Sequence, residues 1–144
     1  MTAPPNVPPS RLGLAKAHGL FNTVGGLWPL VHRRSFEALF GAKYDRWLQY
    51  TVGGLLAGNG VVQLLADDTP SGYRGARNLG ISTALTLLAI DLVYVPAGRI
   101  RKTYLVDAAM EAAWLAAWAK RTEPRSRAVV IRPATFPDPP IGDV

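Results

Sequence analysis

Apolar residues along the chain gather into four long stretches, set between two proline-rich ends. The stretches cover residues 12–31, 47–66, 79–97 and 103–119, so each is 17 to 20 residues long. At 1.5 Å per residue, an α-helix of that length covers roughly 30 Å, the thickness of the hydrocarbon layer of a bilayer. A helix on a soluble protein carries a charged face opposite its apolar stripe. Here ISTALTLLAIDLVYV and YLVDAAMEAAWLAAWA are apolar or small nearly all the way round. The pattern predicts an all-α fold, a bundle of four transmembrane helices, with a soluble four-helix bundle as the alternative.

The first connector has a period of its own. Phe36, Leu39, Phe40, Lys43, Tyr44 and Trp47 recur at i, i+3, i+4 spacing, with Arg33, Arg34, Glu37 and Asp45 off that stripe. This predicts a short interfacial helix between the first two spans, capping the bundle or simply packing on it. The ends read as tails. Residues 1–11 begin MTAPPNVPPS, and residues 120–144 carry five prolines; neither offers an apolar run sufficient to offset the entropy of ordering. No cleavable signal pattern opens the chain.

Composition narrows the partners. The 144 residues hold 16 Lys and Arg against 10 Asp and Glu, a net charge of +6. That balance suits nucleic acid or the flanks of membrane spans, and position decides between them. The cations are scattered over connectors and span ends instead of forming one stripe, which argues against nucleic acid. The expected location is a membrane, multi-pass, with the lipid bilayer as first partner and both termini on one side. Arg and Lys divide seven to nine between the sides, a weak lean toward cytoplasmic termini. Glycines inside the spans, among them the GxxxG pair Gly54/Gly58, suggest close helix packing, a membrane-protein partner or a homo-oligomer. Trp28, Trp47, Tyr50, Tyr94, Tyr104 and Trp118 fall near span ends, as aromatic side chains do at the headgroup layer.

The polar residues within the spans are the informative ones, because charges at membrane depth are costly. Measured from the side of the first and third connectors, Asp107 lies about 6 Å deep, Asp91 about 9 Å and Glu111 about 12 Å. Asn22 follows at about 14 Å and Asn59 at about 18 Å. Asp107, Glu111, Trp114 and Trp118 share one helical face, His18, Asn22 and Gly25 another, and Asn59 pairs with Gln63. Convergence of these faces would make an acidic and aromatic pocket. Its ligand would be a small amphipathic or cationic molecule or a lipid, held by Asp91, Asp107, Glu111, Asn22 and Asn59 between Trp114 and Trp28. A proton relay fits the same residues. Against this, Asp107 could simply pair with Arg33, Arg34, Arg99, Arg101 or Lys102, and the amides could be interhelical glue. The chain would then be an assembly subunit.

Catalytic signatures are missing. Two histidines, His18 and His32, stand at no metal-ligand spacing, and there is no cysteine. No HExxH, GxSxG, Walker or GxGxxG pattern occurs, so the sequence points to no metal or cofactor, and the one enzymatic reading it leaves open uses Glu111 and Asp91 as acid and base on a membrane-soluble substrate.

The segments Gly-Leu-Trp-Pro at 26–29, Arg-Ser-Phe-Glu at 34–37 and GAKYDRWL at 41–48 make up a longer pattern. It continues in Asp91 to Tyr94 and in Asp107 with Glu111. This pattern resembles a family of small bacterial four-helix integral membrane proteins of uncharacterised activity, over most of the chain between the tails. In helix number the chain is similar to DoxX-type proteins, without shared residue motifs. The resemblance implies the fold, a bacterial inner-membrane location, and a fixed polar cap of Arg34, Glu37, Lys43, Asp45 and Trp47 over the pocket mouth next to Asp107, to which position along the chain adds Arg33 and Arg99.

Overall fold

A computed structural model describes residues 7–121. The chain forms five helices: α1 (Pro9–Val31), α2 (Arg33–Phe40), α3 (Arg46–Leu64), α4 (Pro70–Tyr94) and α5 (Tyr104–Lys120). Four long helices and a short one after the first cover the apolar stretches, but α4 begins at Pro70 and not at 79, so most of the expected second connector is helical, started by the Thr69 cap and Pro70. The assignment of residues 122–144 as a tail lies outside the described residues, as does that of residues 1–6. The expected N-terminal tail is shortened, because α1 starts at Pro9, a residue whose fixed φ suits the first helical position.

Four transmembrane spans are not supported. Among the described helices, α4 alone is long and apolar enough to cross a membrane. α5 has 17 residues and carries Asp107, Glu111 and Lys120, so it rises only about 25 Å. α1 and α3 have the length, at 23 and 19 residues, but not the sustained apolarity. His18 and Asn22 dilute the first, Gln49, Asn59 and Gln63 the second, and glycines dilute both. Counting apolar runs overlooked how much of each helix is spent on polar and small residues that face inward.

α1 and α3 pack against each other through glycine. A Cβ on Gly19 would lie 2.8 Å from the Gly60 carbonyl oxygen, and one on Gly53 would lie 2.7 Å from that of Gly26. Gly26 and Gly60 are equally hemmed in by the opposite backbone. Gly54 and Gly58, the GxxxG of the sequence, face open space instead. The seam follows the neighbouring glycines, because the rotation of α3 about its axis is set by which polar residues it must bury. α4 and α5 pack as a second pair against this first one.

The ends of the helices are tied by specific bonds. Thr69 caps α4 by accepting a hydrogen bond from Gly72 N at 3.1 Å, with Pro70 at the first helical position. The last carbonyls of α2 accept from side chains of the α4–α5 connector. Arg101 donates to Ala38 O at 3.1 Å and the Thr103 hydroxyl to Leu39 O at 2.8 Å. They fill the role of helix C-capping groups.

The distribution of polarity is inverted relative to an ordinary globular core. The largest fully buried side chains are Trp118, His18, Gln63, Glu111, Asn22 and Asp91. Outside, Val31, Leu55, Leu65, Val62 and Val93 are more than half exposed. Among the described residues the buried apolar cluster is small: Ala15, Tyr73, Ala76 and Trp118.

Candidate functional site

Two polar groups occupy the interior. The first lies where α1, α3, α4 and α5 meet around Gly80. His18 Nδ1 accepts a hydrogen bond from Trp118 Nε1 at 3.0 Å, while its ring stacks on Trp114 at 4.5 Å between centroids. An acceptor at Nδ1 means that the proton of this neutral imidazole sits on Nε2. Burial lowers the His18 pKa to about 4, which keeps the ring neutral. Asn22 donates to Gln63 Oε1 at 2.8 Å, and Gln63 donates to Ala76 O at 3.3 Å. A Cβ on Gly80 would lie 2.8 Å from His18 Nδ1 and closer still to Gln63 Nε2. The absence of a side chain there makes room for the network.

The second group is the carboxyl cluster. Asp91 comes from the last turn of α4, Asp107 and Glu111 from the first two turns of α5. The Asp91 and Asp107 side chains are close enough to share a proton, and Glu111 feels the charge of both. Two carboxyl groups can bond this way only with a proton between them. Burial, then the charges of Asp107 and Asp91, push Glu111 up to about 7 from 4.5. Asp107 is likewise raised by burial, partly offset by its bond to Asp91. Neither oxygen of the fully buried Glu111 has a hydrogen-bond partner, and nor does Oδ2 of Asp91.

Lys43 and Tyr104 stand beside this cluster. The Lys43 ammonium lies 4.7 Å from the centre of the Tyr104 ring. Burial lowers the Lys43 pKa, followed by repulsion from Arg101, while Asp91 and Glu37 draw it back up. Tyr104 is one turn before Asp107 on the same face, a spacing that marks it as a neighbour of the cluster in the sequence itself.

The remaining expected residues separate. Trp114 belongs with His18. Asn22 is committed to Gln63, and Asn59 donates to Thr83 Oγ1 at 3.2 Å beside an open groove of about 300 Å³ between α3 and α4. Trp28 is no wall of the carboxyl cluster: its indole donates to Ser35 Oγ at 2.7 Å and its ring meets Phe36 and Phe40 edge-on. Of the polar cap, Arg33 pairs with Glu37 at 3.2 Å, whereas Arg34 and Asp45 are exposed. Among the described residues Asp107 makes no ion pair, and Arg33 and Arg101 are engaged elsewhere. The expectation of a salt bridge at Asp107 therefore gives way to a carboxyl pair. Gln49, buried near the start of α3 with both amide atoms unpartnered, does not stand out in the sequence pattern. No group of three or more metal-ligating side chains is assembled among the described residues. Comparison with protein families, curated proteins and solved structures finds no match for this chain.

Proposed function

We propose that this is a membrane-associated protein that takes up a small cation, the proton included, at the Asp91, Asp107 and Glu111 cluster. The observation that carries the reading is that three carboxyl groups from two helices meet in the interior with no cation salt-bridged to them among the described residues, and one of them has both oxygens unpartnered. A buried carboxylate without a counter-ion is expensive, so the site favours whatever positive charge can reach it. Membrane association is supported by the exposed apolar exterior and by α4, whose length and composition suit a bilayer.

The test is thermal stabilisation by a lipophilic cation, tetraphenylphosphonium, across a range of pH. The wild-type protein is stabilised and an Asp91→Asn/Glu111→Gln double variant is not. Stabilisation that persists unchanged in the double variant refutes the proposal.

One observation favours a second reading, an assembly subunit. Gly54 and Gly58 face outward, with no atom within 4 Å of the point where a methyl group would stand, next to the exposed Leu55 and Val62. Such a face admits another helix closely. A Gly54→Leu/Gly58→Leu variant that loses a co-purifying partner or a dimer in mild detergent supports it. A protein that is monomeric with and without the substitutions removes it.

A further inference from the structure

The carboxyl cluster has a counterpart of opposite sign a short distance along the chain. A cavity of about 370 Å³ opens between the α2–α3 and α4–α5 connectors, lined by Phe40, Gly41, Lys43, Gly98, Arg99 and Arg101 among others. Three of its lining residues are cationic and none is acidic. The nearest carboxylates offset it only in part: Glu37 and Asp91 act on the charge of Lys43, but Glu37 is held by Arg33 at 3.2 Å and neither forms an ion pair with a cavity cation among the described residues. Among the described residues Arg99 makes no ion pair, and the Arg101 guanidinium bonds to a neutral carbonyl.

Two of these cations, Arg101 and Lys43, are also held in place. Gly41 has φ +90°, a conformation that disfavours any side chain, and a Cβ there would fall 2.9 Å from Arg101 Nε. The Arg101 side chain thus lies across Gly41, anchored at its far end on Ala38 O. Gly98, with φ +67°, turns the opposite connector and precedes Arg99. Lys43 is fixed over the Tyr104 ring. Burial and the proximity of Arg101 both work against its charge, as expected where cations gather before an anion arrives.

We propose that this connector cavity binds a phosphate group through Arg99, Arg101 and Lys43. Two guanidinium forks and one ammonium match a tetrahedral, multiply charged oxyanion better than a single carboxylate. The surroundings say where such a group can come from. Tyr44 and Trp47 are largely exposed beside the cavity in sequence, and Tyr94 ends α4 with a half-exposed ring. Aromatic side chains at this level suit the headgroup layer, so a phospholipid headgroup and a free phosphate share the chemistry that the cavity recognises. The site does not depend on the carboxyl cluster being functional.

The full-length protein is tested against two probes: vesicles of phosphatidylcholine with and without phosphatidylglycerol, and inorganic phosphate. Binding to the anionic vesicles, or a rise in melting temperature with phosphate, is expected to fall at least fivefold in a Lys43→Gln/Arg99→Gln variant. A charge-matched Arg74→Gln/Lys120→Gln variant at other exposed positions retains it. Arg101 is left intact because it also caps α2, and the unliganded melting temperatures show whether each variant is folded. A response to vesicles alone identifies the headgroup as the source, and a response to phosphate alone identifies the free ion. Equal losses in the two variants, or no response of the wild type to either probe, overturn the proposal.

Discussion

The two polar groups inside this molecule are built from different chemistry, amides with an imidazole and an indole in one and three carboxyl groups in the other. Around Gly80, each of His18, Asn22, Gln63 and Trp118 gives or receives at least one hydrogen bond and the imidazole is neutral, with His18 Nε2 and Asn22 Oδ1 left without partners. At the connector end, Glu111 has no partner for either oxygen and its neighbours are two further acids. A neutral network bonded through most of its side chains fixes how helices pack, while a cluster of unpartnered acids leaves free energy that a bound cation can recover. The comparison assigns structure to the first group and binding to the second.

It can be broken most sharply at Gly80. A Gly80→Val substitution forces atoms onto Gln63 Nε2 and His18 Nδ1, and should cost about 3 kcal/mol, near the upper end for overpacking. Chemical denaturation in detergent measures it. Removing an amide from the same network comes next: Gln63→Leu strands the Asn22 Nδ2 donor, at about 2 kcal/mol.

The carboxyl end should respond in the opposite sense. Its raised folded value means that Glu111 holds its proton more tightly folded than unfolded. Its contribution to stability is full below about 4.5, falls as the pH rises, and levels off above about 7. His18, lowered to about 4, works against this, adding stability as pH rises from about 4 to its ordinary 6.5. The two groups are therefore separated by difference. A Glu111→Gln variant should be more stable than wild type by about 1 kcal/mol above pH 7 and should lose that advantage toward pH 4. A variant that is destabilised at every pH would mean that Glu111 belongs to the structural class. The smallest effect is expected between the groups, at Asn59. Its bond to Thr83 is 3.2 Å long at the edge of an open groove, so Asn59→Leu should cost about 0.5 kcal/mol.

Much of the architecture was legible because it depends on period. The four long helices, the short α2 and the shared face of Asp107, Glu111, Trp114 and Trp118 follow from spacing along the chain. Depth along each helix brought Asp91, Asp107 and Glu111 to a common level, and they do meet. What spacing does not contain is the rotation of one helix against another. That is why the glycine seam runs through Gly19, Gly26, Gly53 and Gly60 while Gly54 and Gly58 look outward. It is also why Trp28, although at the right end, turns to α2 and Ser35. The four-span expectation failed for a related reason. An inward face of His18, Asn22, Gln63 and glycine costs α1 and α3 the apolarity a span needs, and α4 alone keeps it.

The central claim is that Glu111 is a buried, unpaired acid that exchanges its proton near neutral pH. Infrared difference spectra of carboxyl groups, recorded between pH 5 and 9 on wild type and Glu111→Gln, address it directly. The account predicts a protonated carboxyl band that titrates near pH 7 in the wild type and is reduced in the variant, which keeps only the part that belongs to Asp91 and Asp107. A wild-type spectrum with every carboxyl already ionised at pH 5, or a band near pH 7 of unchanged amplitude in Glu111→Gln, would contradict it.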